Sequence, residues 1–142
     1  MANTALHQIL EPHTGVAILP GGTPEKHDQG DPVSTLRREA DEEAAARFGS
    51  PLLLGHVTDP TGRLGYLRYA AALTGVGPAR PDPATGHTYT RVLVSPEQST
   101  ELFDWGPAAA DQLAAVHQAR QKLGLPRAAR QSVTELTGPT AW

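Results

Sequence analysis

Residues 21–46 read GGTPEKHDQGDPVSTLRREADEEAAA, and the rest of the chain is organised around them. The stretch opens as a glycine turn, continues as a polar loop and ends as a helix carrying an acidic cluster, Arg38-Glu39-Ala40-Asp41-Glu42-Glu43. Asp31 is a good N-cap, and Pro32 suits the first helical position, where a missing N–H costs nothing. Val33, Leu36, Ala40 and Ala44 recur at steps of three and four and line one face. At about 100° per residue, Glu39, Glu42 and Glu43 share a neighbouring face. Like charges at that spacing repel and weaken a helix. A divalent cation removes the penalty: hard ions such as Mg²⁺ take oxygen ligands, keep several waters, and bind few carboxylates together with substrate phosphates. The ordinary alternative is a solvated acidic face, which is common on helices.

Pro20-Gly21-Gly22, Glu25, the Gly30-Asp31 step and Arg38-Glu39-x-x-Glu42-Glu43 together resemble the box of the Nudix hydrolases. The family pattern is G-x5-E-x7-R-E-U-x-E-E-x-G-U, where U is a bulky aliphatic residue. Gly22, Arg38, Glu39, Glu42 and Glu43 match it. The span from Gly22 to Arg38 is two residues too long, and the first glutamate is missing in register, with Asp31 the nearest substitute. Ala40 stands at a larger aliphatic place, and Ala45 and Ala46 replace the final glycine and aliphatic.

The resemblance implies a Nudix-like α/β/α sandwich with a mixed central sheet and the box as a loop–helix–loop. It implies that Glu39, Glu42 and Glu43 hold Mg²⁺ or Mn²⁺ at the diphosphate of a nucleotide-type small-molecule substrate. Catalytic roles fall on Glu42, Glu43 and Arg38. Gly22, Glu25 and Arg38 fall on the substrate side, with Arg38 orienting the glutamates by charge-assisted hydrogen bonds. The expected reaction is hydrolysis of a phosphoanhydride in a nucleoside diphosphate linked to another group. Some family members take a base from beyond the box; here Glu97, Glu101 and Asp82 are open candidates. Two alternatives stand beside this reading: a Nudix-fold module that binds a nucleotide or partner without turnover, and a plain α/β domain with a chance match.

The chain's 142 residues suit one domain over 1–124 with a polar tail at 125–142. A net charge of −3 leaves no basic footprint for nucleic acid. Without cysteine there is no disulfide framework and no thiolate chemistry. No apolar run approaches the ~18 residues of a membrane span and no leader pattern opens the chain, so a cytoplasmic protein is expected. Dimers are common among relatives, and a homodimer is a candidate assembly.

In chain order, strands are expected at 5–10 and 16–19, joined by a turn at His13-Thr14-Gly15. This lead is abbreviated relative to the family, and one expectation is a native first strand upstream of Met1. Lys26 and His27 read as surface residues, and Arg37 as pointing away from Arg38. The helix is expected to end at Phe48-Gly49-Ser50-Pro51 with Gly49 as its cap. Strands follow at 52–57 and 66–73 around an Asp59-Pro60-Thr61-Gly62 turn, with Tyr66 and Tyr69 expected in the core or at its boundary. Residues 75–87 form a Pro/Gly-rich loop. A strand is predicted at 88–94, a short helix from Ser95 to about Phe103, and the clearest ordinary helix at 107–123, capped by Gly124. Val133, Leu136 and Trp142 are the groups available to dock the tail.

Overall fold

The computed structural model describes residues 6–10, 17–58, 61–63, 65–102, 106–127, 130 and 132–141. The expectations for Ala5, residues 13–16, Asp59, Pro60, residues 103–105 and Trp142 lie outside that set. Twelve regular elements run in order: β1 (Leu6–Leu10), β2 (Ala17–Ile18), α1 (Pro32–Ala44), β3 (Ala46–Phe48), β4 (Leu52–Thr58), β5 (Gly65–Ala70), β6 (Leu73–Val76), β7 (Thr90–Val94), α2 (Pro96–Leu102), α3 (Ala109–Lys122), β8 (Thr134–Glu135) and β9 (Thr140–Ala141). The fold mixes helices and strands, as the sequence pattern predicts.

The sheet arrangement differs from the single mixed sheet expected. Among the described residues the strands form three sheets, ordered β2-β1-β7-β8, β3-β6-β9 and β4-β5. Every pairing is antiparallel. The link between β4 and β5 is too short for a parallel pair, which needs a crossover of a dozen or more residues.

α1 begins where its cap predicts. The Asp31 carboxylate accepts hydrogen bonds from the backbone N–H groups of Val33 and Ser34, each at 3.2 Å. It ends earlier than predicted. Ala45, not Gly49, closes the helix, with φ at 50° in the left-handed region. Its N–H bonds back to Asp41 O at 2.9 Å, and its own carbonyl accepts from Gly77 N. The chain then turns directly into β3, which pairs with β6, so residues read as a helix end and a loop become a two-strand ladder. Ala40, Ala44, Ala46 and Tyr89 form the core here, with Phe48 and Leu73 packed on it. Tyr66, expected at the core or its boundary, is 45% exposed on β5.

Arg91 secures this end of α1. It is almost fully buried, and Nη1 donates to Ala44 O at 2.9 Å and to Gly77 O at 2.6 Å, while Nη2 donates to Leu136 O at 3.0 Å. A cation at a helix C-terminus meets the negative end of the helix dipole. Leu136 N in turn bonds to Arg91 O at 2.8 Å. The segment beyond Gly124 is therefore stitched in twice more, through β8 on β7 and β9 on β6.

Candidate functional site

The site is built from the first turns of α1 and the loop that precedes it. A single 3₁₀ turn, Lys26–Asp28, aims Asp28 inward, where it is 3% exposed. The turn closes through a reciprocal cap: Glu25 N donates to Asp28 Oδ2 at 2.8 Å. Thr35, one turn into α1, donates its hydroxyl to the same oxygen at 3.0 Å.

Arg38 is the hub. Its Nε and Nη2 meet Asp28 Oδ1 and Oδ2 at 3.1 and 3.0 Å, a two-pronged pair. Nη1 reaches Glu39 Oε1 at 2.8 Å and Glu42 Oε2 at 3.0 Å. Nη2 also donates to Thr23 O at 3.0 Å, and Glu25 Oε1 stands 3.5 Å from Nη1. A planar guanidinium with five donors is the one side chain able to serve so many oxygens at once. The hydrogen bonds from Arg38 hold the Asp28 carboxyl well below the usual carboxylate range, and Asp28 holds the guanidinium more firmly protonated than usual.

Asp28 is the residue that the sequence reading missed. Asp31 was the expected stand-in for the first acid of the box, but its carboxylate is spent on the helix cap and on Ser34 Oγ at 2.8 Å. The signal was present: five residues lie between Gly22 and Asp28, the spacing that the box pattern gives its first acid. The two extra residues lie between Asp28 and Arg38. Gln29 and Gly30, both in the left-handed region with φ of 56° and 74°, fold that excess into a turn.

The glycine turn lies across the other side of the acids. Gly21 N donates to Glu43 Oε2 at 3.0 Å. A Cβ placed on Gly22 would collide with the Glu39 carboxylate, so any other residue there would have to push that side chain aside. Gly22 thus faces Glu39, and Glu25 stands at the rim with a side chain 54% exposed. His27 is more exposed still, with Nδ1 3.5 Å from Glu25 Oε2. Arg37 points away as expected, donating to Phe48 O at 2.9 Å and stacking over the Phe48 ring.

Burial pushes the Glu43 carboxyl up to about 7; the Gly21 hydrogen bond opposes this, and the charges of Glu39, Asp82 and Glu42 add to it. Burial raises Glu39 as well, against the pull of Arg38. Asp82 comes from the loop after β6 and is 5% exposed. Its carboxylate accepts from Ala84 N at 2.9 Å and Thr85 Oγ1 at 3.1 Å. Of the three open distal acids, Asp82 shares the field of Glu39 and Glu43. Glu97 is paired with His117 and Arg127, and Glu101 with Arg130.

Carboxylates that hold protons because they are buried, with neighbouring acids adding to the effect, are a donor set suited to a hard divalent cation. In the arrangement described, Glu39 and Glu42 each have one oxygen on Arg38 and Glu43 has one on Gly21 N. Among the described residues no three His, Cys, Asp or Glu side chains converge on one point. No protein-family model, curated protein or solved structure matches the chain.

Proposed function

We propose that the chain is a Nudix-type pyrophosphohydrolase, acting with Mg²⁺ or Mn²⁺ on a nucleoside diphosphate linked to another group. The observation that carries this reading is the Arg38 hub. Asp28, Glu39 and Glu42 meet one guanidinium, while the Gly21-Gly22 backbone rests on Glu39 and Glu43. Both halves of the box pattern are thereby engaged, with Asp28 in the place of the first acid. A Nudix-like sandwich, cytoplasmic residence and a homodimer belong to the same proposal. No helix among the described residues is long and apolar enough to cross a membrane.

In this reading Glu39, Glu42 and Glu43 would hold the cation through their oxygens, and the ion would supply charge screening of the diphosphate and activation of water. Arg38 fixes the carboxylates in place through charge-assisted hydrogen bonds, with Asp28 locking its fork. A carboxyl poised near pH 7 suits proton acceptance, which favours Glu43 as the base. The alternative of a binding module without turnover is favoured by one feature: Glu39 and Glu42 must each loosen from Arg38 before they present both oxygens to an ion.

The deciding experiment is product release from a panel of nucleoside triphosphates, oxidised nucleotides, ADP-ribose, dinucleoside polyphosphates and sugar nucleotides, with each metal. The Glu42→Gln/Glu43→Gln double variant serves as control. Turnover that falls at least ~10³-fold in a normally folded double variant supports the hydrolase. Turnover retained in that variant overturns the metal assignment. Absence of turnover, with nucleotide still raising the Tm, moves the reading to the binding module.

A further inference from the structure

A second region of the molecule holds a cation that no acid pairs with among the described residues. Between the β4–β5 hairpin and α3 lies a cavity of about 410 Å³. Its wall is mainly apolar, from Leu54, Val57, Tyr69, Ala115 and Val116. Arg68 on β5 lines it. The buried Nε of Arg68 has no hydrogen-bond partner, and no ion pair involving the residue occurs among the described residues. The guanidinium carbon stands 5.6 Å from the centre of the Tyr66 ring. Burial makes the Arg68 charge less favourable than in water.

The backbone opposite Arg68 is shaped to leave room. β4 carries a register shift between Leu53 and Gly55, and Gly55 pairs directly across from Arg68. Gly55 has φ at 141°, a conformation that favours glycine, and the space where its Cβ would project is open. A bulge and a strand glycine at one point commonly mark a place where another group approaches the backbone. The volume falls within the range of small-molecule pockets, which combine apolar walls with a few placed polar groups. Asp111, at the first turn of α3, is the acid on the cavity wall, and it is exposed and makes no ion pair with Arg68.

We infer that this cavity binds a small organic anion: an aromatic or branched aliphatic body seated on the apolar wall, with a carboxylate or sulfonate on the Arg68 guanidinium. The site is separate in its residues from the acidic cluster on α1 and is independent of the hydrolase reading. A half-buried guanidinium whose inner Nε lacks an acceptor is held less favourably than in water. A bound anion supplies the missing partner with the planar, two-pronged geometry that arginine favours.

The test uses the full chain and the fluorescence of 1-anilinonaphthalene-8-sulfonate, with indole-3-acetate and its uncharged analogue indole-3-acetamide as competitors. Saturable single-site binding is expected, displaced at least tenfold more effectively by the acetate than by the acetamide. Arg68→Met should weaken binding at least tenfold while raising the Tm of the ligand-free protein. Ala115→Trp, which fills the cavity, should abolish it, and Glu42→Gln/Glu43→Gln should leave it unchanged. Equal competition by acetate and acetamide overturns the inference, as does full binding in a folded Arg68→Met variant or the absence of saturable binding. The acetate–acetamide comparison is made on the wild-type chain and stands if a variant fails to fold.

Discussion

Two arginines, Arg38 and Arg68, occupy opposite electrostatic situations in one small protein. Arg38 is surrounded: Asp28 takes an N–H from Nε and one from Nη2, Glu39 and Glu42 both accept from Nη1, and Thr23 O accepts from Nη2. Arg68 lines an apolar cavity with a buried Nε that no acceptor reaches. The first arrangement gives its charge to the fold and keeps three carboxylates in register. The second leaves its charge free and opens a space beside it. A saturated cation organises a site, whereas an unsaturated one is itself available to a ligand.

The comparison breaks most sharply at Asp28. Asp28→Asn removes the charge that locks the Arg38 fork and leaves a guanidinium among groups arranged for an ion pair. The expected result is a Tm lowered by roughly 5–10 °C, together with weaker metal binding because Glu39 and Glu42 lose their fixed partner. A Tm within 1 °C or so of wild type would mean that Arg38 is held adequately by the remaining acids.

A second test separates the acids by pH. The Glu43 carboxyl sits near 7 in the folded protein against an ordinary value of 4.5. Between those values the folded state holds a proton that the unfolded chain has lost. The Glu43 contribution therefore lowers stability as pH rises from about 4.5 to about 7, and the loss levels off above that. Thermal melts of Glu43→Gln should show a flatter profile across this window. Divalent ions need the deprotonated carboxylate, so the Tm gain from Mg²⁺ should grow as pH passes through 7. A Mg²⁺ effect equal at pH 5.5 and pH 8 would exclude Glu43 as a ligand.

The reciprocal variant for the other region is Arg68→Met, expected to raise the ligand-free Tm by about 2–4 °C by replacing an unpartnered charge with an apolar chain of similar length. A fall in Tm would show that the guanidinium is stabilised where it stands. The smallest effect is expected at Ala45→Gly. A left-handed residue with a Cβ costs about 1–2 kcal/mol, and the buried methyl returns about 0.8 kcal/mol, so denaturant unfolding should show a gain of about 0.5 kcal/mol. A clear loss would mean that Ala45 contributes more through the core than its backbone strain removes.

The sequence by itself determined the elements whose causes are local. Asp31 and Pro32 start α1, because a cap and a preset φ act within one turn. The 3.6-residue spacing placed Glu39, Glu42 and Glu43 together and turned Arg37 away from Arg38. The hairpin strands β4 and β5 and the helix α3 were legible for the same reason. What depends on contacts across the chain was decided only by the tertiary structure. Asp28 became the partner of Arg38 because Gln29 and Gly30 folded two surplus residues into a left-handed turn, an outcome that no local propensity specifies. α1 stopped at Ala45 because β3 pairs with β6 and Arg91 clamps the Ala44 and Gly77 carbonyls, contacts between residues far apart in the chain. Asp82 was separated from Glu97 and Glu101 only by which cations each acid meets in space. Arg68 read as one residue in an alternating strand, and its unpartnered charge exists only because α3 and the bulged β4 enclose the space beside it.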